Sequence, residues 1–127
     1  MKSSNLRTNK LIFQVNRVVS TIESKFGLSE LDLRSKAILT AIAEADSERR
    51  IMRPSDILKL SHLGTPPTIY RLLTNLENAG FICYKVDKDD RRSKILLLTP
   101  VSRRAFNTMS QHIRLQIEVY LTLERAP

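Results

Sequence analysis

The stretch Pro54–Gly80, PSDILKLSHLGTPPTIYRLLTNLENAG, reads as two short helices joined by a tight turn. Pro54 suits a first helical turn, where its missing N–H leaves no bond unmade. Gly64 breaks the first helix and Thr65 is a natural cap for the second. Pro66 and Pro67 fall in a first turn that tolerates proline, so the spacing predicts a helix from Pro66 to about Ala79, ended by Gly80. Two helices joined by a few residues containing glycine have the length and chemistry of a helix-turn-helix. At about 100° per residue, Ile69, Leu72, Leu73 and Leu76 share one narrow arc. Pro67, Arg71, Thr74 and Asn78 lie opposite, flanked by Thr68, Tyr70 and Asn75. A helix entering a major groove needs this division, with its apolar side held by the domain and its polar side free.

Downstream, FICYKV (81–86) and KILLLT (94–99) are rich in β-branched, aromatic and other apolar residues. They read as a hairpin. The loop between them carries Asp87, Lys88, Asp89, Asp90, Arg91 and Arg92, with Lys94 at its edge, a dense cluster of both signs. Thr99 and Pro100 then cap a last helix running to about Arg125. Within it Ile113, Leu115, Ile117, Val119, Leu121 and Leu123 alternate as a strand would. Helix is preferred, because a strand there would leave a long apolar edge exposed, whereas Phe106, Met109, Ile113, Ile117, Tyr120 and Leu121 also form a helical stripe. Leu115, Val119 and Leu123 fall on the other side, and a helix apolar on two faces must be buried on two faces, which points to a second subunit.

Upstream, Leu11, Ile12, Val15, Val18, Val19, Ile22 and Phe26 recur at steps of three and four, giving one helical stripe that Gly27 stops. A second helix starts near Ser29 or Asp32 and carries Leu33, Ala37, Ile38, Ala41, Ile42 and Ala45. Ile51 and Met52 add at most one short strand. The fold class is therefore mostly α with a small β-hairpin (α+β): a winged helix-turn-helix with N- and C-terminal dimerisation helices. It is expected as a single domain over 1–127, with terminal helices at 5–28 and 100–126 and a DNA-binding lobe at 29–99.

A chain of 127 residues is one ordinary domain with a real core, and its net charge of +8 and pI near 10.1 favour a polyanionic partner. Arg71 is placed to fork onto a guanine, Thr68 and Thr74 to meet bases or phosphates, and Pro67 to meet a thymine methyl. Free N–H groups at Thr65 and Ser55 suit phosphate oxygens. In the charged loop Arg91 and Arg92, with Lys88 and Lys94, are expected on phosphates or in the minor groove, with Asp90 or Asp87 holding an arginine in place. The bland alternative is a solvated turn that keeps a hairpin edge soluble.

The single cysteine, Cys83, excludes an internal disulfide framework and suits a reducing cytoplasm; its strand setting reads as structural rather than redox-sensing. The basic N-terminus reads as neither a signal peptide nor a membrane span. His62 and His112 stand alone, so no metal is expected, and no phosphate loop or nucleophile motif suggests an enzyme or a cofactor.

The segment from Pro54 to Pro100 resembles the core of the MarR family of bacterial transcriptional regulators, most specifically in LENAGFI followed by Asp90, Arg91, Arg92 and LLLT. The resemblance implies a homodimer through the first and last helices, for which the stripes supply Leu11, Ile12, Val15, Val19, Ile113, Ile117, Tyr120 and Leu121. It implies a recognition helix from about Thr65 to Ala79, and a wing in which Asp90 and Arg92 match the family's paired acid and minor-groove arginine. It further implies control of transcription, usually repression from a pseudo-palindromic operator, and often a small-molecule inducer in a crevice between the dimerisation helices and the DNA-binding lobe. Three features depart from the family pattern: Ser102 where glycine is common, the paired prolines, and a slightly short chain. The alternative is a winged-helix module that binds protein or coats DNA without sequence preference. An exposed face of small polar residues around Thr68, Arg71 and Thr74 argues against a protein-docking surface, which would show more apolar anchors than Tyr70. An RNA-binding winged helix ranks last for want of an aromatic platform.

Overall fold

The computed structural model of the chain describes residues 6–125. Five helices and one hairpin follow in order: α1 (Leu11–Phe26), α2 (Leu33–Ser47), α3 (Pro54–Leu58), α4 (Pro66–Asn78), β1 (Ile82–Val86), β2 (Lys94–Leu98) and α5 (Pro100–Arg125). Single 3-10 turns at Leu28–Glu30 and Ser61–Leu63 precede α2 and α4.

Local chemistry sets the ends. Asn9 Oδ1 accepts the N–H of Leu11 at 2.8 Å, so α1 begins at Leu11 rather than near residue 5, which lies outside the described residues. Gly27, at φ 81°, closes α1 in the left-handed conformation that glycine adopts without steric cost. Of the two candidate caps for α2, Asp32 is the one used, its Oδ1 accepting the Ser35 N–H at 2.7 Å; Ser29 belongs to the preceding turn. The stripe expected on α2 needs a correction at its start. Leu33 is 84% exposed, while Ser35 and Leu39 join Ile38, Ile42 and Ala45 on the buried side. At about 100° per residue, Leu33 falls nearly opposite the centre of that arc.

The hairpin is antiparallel, with register from Ile82 opposite Leu98 to Val86 opposite Lys94. Of Ile51 and Met52, only Met52 adds a bridge, in which the Leu96 N–H donates to the Met52 carbonyl at 2.8 Å. It goes no further because α3 starts two residues on, at Pro54. One continuous core runs from Ile38, Leu39 and Ile42 of α2, through Ile57 and the inner face of α4, to Ile82, Leu96 and Leu98 of the hairpin. Ile22 of α1 and Ala105 and Met109 of α5 tie the terminal helices to it.

The alternating segment 113–123 is helical, continuing α5 without a break. Helical periodicity wins because α1 packs along α5, and Asn9 Nδ2 donates to the Tyr120 hydroxyl at 2.9 Å. At the start of α5, Ser102 is fully buried, and its hydroxyl donates to the Phe81 carbonyl at 2.7 Å. Thr99 Oγ1 donates to the Gly80 carbonyl at 2.6 Å beside it. The departure from glycine thus has a structural use: the serine fastens α5 to the chain entering the hairpin. Among the described residues no helix is long and apolar enough to cross a membrane.

Candidate nucleic-acid interface

α4 presents the face expected of it. Ile69, Leu72, Leu73 and Leu76 are buried, and Pro67, Tyr70, Arg71, Thr74, Asn75 and Asn78 are exposed, with Thr68 half-buried. The buried four hold the helix by one side, which leaves the opposite side free to enter a groove. The Thr74 hydroxyl donates to the Tyr70 carbonyl at 3.0 Å, so toward solvent it offers an acceptor and a methyl. At the helix N-terminus Thr65 is extended but makes no side-chain cap; its hydroxyl lies 3.1 Å from that of Thr68. Pro66 and Pro67 carry no N–H, so the first turn offers an anion fewer donors than a helix start ordinarily supplies, chiefly the Thr68 N–H. Ser55 is exposed in the first turn of α3.

The charged loop is held by its acids in a way the sequence reading only partly anticipates. Asp87 is buried, and its carboxylate accepts both the N–H of Asp89, at 3.0 Å, and Nη2 of Arg53. Nη1 of Arg53 donates to the Ser93 hydroxyl at the other end of the loop. Arg53 stands immediately before α3, where Asp56 Oδ2 accepts its backbone N–H at 2.9 Å. Its guanidinium therefore clasps both feet of the loop to the body of the domain. The Asp87 N–H donates to the Ser93 carbonyl at 3.0 Å, and the Ser93 N–H to the Asp90 carbonyl at 2.9 Å.

Asp90 does not orient a wing arginine as expected. Instead its Oδ1 accepts the backbone N–H of Arg92 at 3.1 Å and shapes the turn, and among the described residues it forms no ion pair. The acid that holds an arginine is Asp87, and the arginine is Arg53. Lys88, Arg91 and Arg92 are left exposed and outside any ion pair of the described residues. Lys94 is exposed, with Nζ 5.5 Å from the Tyr84 ring centroid. One sequence signal pointed to Arg53: a long basic side chain at a cap position where Ser, Thr, Asp or Asn is favoured.

The hydrogen bond from Arg53, then the Asp89 N–H, hold the Asp87 carboxyl below the usual aspartate range. A folded-state pKa below the unfolded value of about 3.9 stabilises the protein above that pH, and the contribution is lost as pH falls through it. Asp87→Asn should therefore be less stable than the parent at neutral pH and lose less on acidification. Urea unfolding at pH 7 and at about pH 3 checks this; equal acid sensitivity in both proteins would remove Asp87 from the clasp.

On the terminal helices, Leu11, Val15, Val19, Ile113 and Tyr120 are half-buried, whereas Ile12, Ile117 and Leu121 are exposed. Phe13, Leu115, Val119 and Leu123 are exposed beside them. The stripes are thus divided between packing α1 on α5 and an uncovered apolar surface. A cleft of about 330 Å³ opens between α2 and α5, lined by Thr40, Ala43, Leu98, Phe106 and the ion pair of Arg103 with Asp46 at 2.9 Å. Cys83 is half-buried in β1. Among the described residues no cluster of His, Cys, Asp and Glu is placed to hold a metal ion.

The architecture is that of a winged helix-turn-helix, in which α3 and α4 form the helix-turn-helix and β1–β2 the wing. It is shared with solved structures that include a DNA complex, a ligand complex and a transcriptional regulator. The MepR–DNA complex of S. aureus superposes with a TM-score of 0.65 at 21% identity, covering 91% of this chain and 81% of that one. MepR bound to ethidium bromide gives 0.64 at 21% identity over 98% and 86% of the two chains. The transcriptional regulator Tm0710 of Thermotoga maritima gives 0.65 at 19% identity over 93% and 77%. No family model and no curated protein sequence matches the chain.

Proposed function

We propose that this protein is a MarR-family transcriptional regulator of bacterial type, acting in the cytoplasm. It binds a pseudo-palindromic operator in duplex DNA as a homodimer and represses nearby genes. The observation that carries the reading is the pairing of an exposed polar face on α4 with wing arginines that are exposed and in no ion pair of the described residues. Two recognition helices related by a two-fold axis reach successive major grooves roughly 34 Å apart on one side of the duplex. The exposed apolar surface of α1 and α5 supports the homodimer, and the MepR–DNA complex supports DNA as the partner. A small-molecule inducer fits the same reading, since MepR is also known bound to ethidium bromide and this chain has a cleft between α2 and α5. Such a ligand acts only by binding one arrangement of the two lobes better than the other.

Titration of labelled duplex and single-stranded DNA of equal length over a range of salt tests this. Duplex should be preferred, and its affinity should fall log-linearly with salt; equal binding of both would return the protein to a general polyanion binder. Replacing Arg71 with Ala should cost about 1–3 kcal/mol and relax preference at one position of each half-site. A uniform loss across sequences would make Arg71 a backbone contact.

A further inference from the structure

We infer that Arg34, in the first turn of α2, is a second phosphodiester-binding residue, gripping the DNA backbone beside the N-terminal end of α4. The inference rests on the DNA-binding reading above and extends its footprint to an element not included in it. A helix with its side chains is about 10–12 Å across, and the major groove of B-DNA is about 12 Å wide. A recognition helix therefore fills the groove and brings a phosphate backbone beside each of its flanks.

In this protein α4 packs on α2, α3 and β1. Arg71 of α4 shares a shallow hollow with Leu72 and with Asp32, Leu33 and Arg34 at the start of α2. Arg34 is exposed, and its guanidinium reaches the turn of the helix-turn-helix: a Cβ on Gly64 would lie 3.8 Å from Arg34 Nη1 and 3.1 Å from Thr68 Cγ2. It therefore stands beside the N-terminal end of α4, the end that approaches the bases.

The charges in the hollow leave Arg34 available. Among the described residues neither Arg34 nor Arg71 is in an ion pair. Asp32, the one acid there, is turned to the start of α2, where its carboxylate accepts the Ser35 N–H. Arg71, nearer the outward pole of α4, is positioned for base edges, and Arg34, at the rim, for the backbone. A guanidinium that meets only phosphate adds affinity without sequence preference.

The test is equilibrium binding of full-length R34A, R34K and R91A/R92A to a bound duplex and to a scrambled duplex over a salt series. R34A should weaken both duplexes by a similar factor and flatten the log–log salt slope by about one for each phosphate left unneutralised, two for a dimer. R34K should keep most of the slope, since a point charge suffices for phosphate. Arg34 is exposed and in no ion pair of the described residues, so thermal unfolding of R34A should match the parent. Parental affinity and slope in R34A, with R91A/R92A still weakened, would overturn the inference while leaving the DNA-binding reading intact. If the parent protein binds no duplex, both fall.

Discussion

Replacing Leu115 and Val119 together with aspartate should convert a dimer into a folded monomer and abolish tight binding to any inverted repeat. The two are one helical turn apart on α5 and are 58% and 53% exposed, so the single chain does not need them for its core. Fully burying an aliphatic side chain of this size contributes about 1.5–3 kcal/mol. In a two-fold interface each change occurs twice, and the aspartates add four unpaired charges to a surface that must be dehydrated. Light scattering after gel filtration reads the mass, and circular dichroism confirms that the helices remain. A double variant that stays dimeric would exclude the end of α5 from the interface. A parent protein that is itself monomeric would require the half-sites to be read separately.

The second large effect concerns the wing. Arg91→Ala with Arg92→Ala removes four cations from a dimer, and the salt slope should flatten by about one unit for each phosphate that these cations would have neutralised. Taking roughly 0.7 kcal/mol for each exposed charge pairing, affinity at moderate salt should fall on the order of a hundredfold, for operator and unrelated duplex alike. The arginines carry this effect because neither is in an ion pair of the described residues, so no carboxylate partner has to be displaced for them to meet phosphate. Unchanged slope and affinity would reduce the loop to a solvated turn. A fall confined to one sequence would turn these residues into base readers.

How far the sequence could be read depended on the range of the forces involved. Helix α4 and its outward residues were legible because periodicity, a proline-tolerant first turn and Gly80 all act within a few residues of one another. The alternating tail was legible for the same reason once a helical stripe through Phe106, Met109 and Ile113 was weighed against an exposed strand edge. Leu33 misled because an apolar side chain at a helix start can fall outside the packed arc; the buried stripe instead includes Ser35 and Leu39. The clasp was beyond reach of local reading, since Arg53 and Asp87 are 34 residues apart and meet only when β2 is laid beside Met52. The role given to Asp90 rested on its nearness in sequence to Arg91 and Arg92, whereas here a two-residue turn uses the same carboxylate. Pro66 and Pro67 do stand at a helix start, but their missing N–H groups weaken the anion site expected at the same spot.

The central claim is that α4, presented twice by a symmetric dimer, reads base sequence in duplex DNA. Selection of bound duplexes from a random pool, at roughly physiological salt where non-specific attachment is weakened, tests it most directly. The expected result is enrichment of an inverted repeat with half-sites about one helical turn apart, with the preference at one position of each half-site disappearing in the Arg71→Ala protein. Binding without any enriched sequence would contradict it, leaving a basic winged helix that coats DNA through its wing and net charge alone.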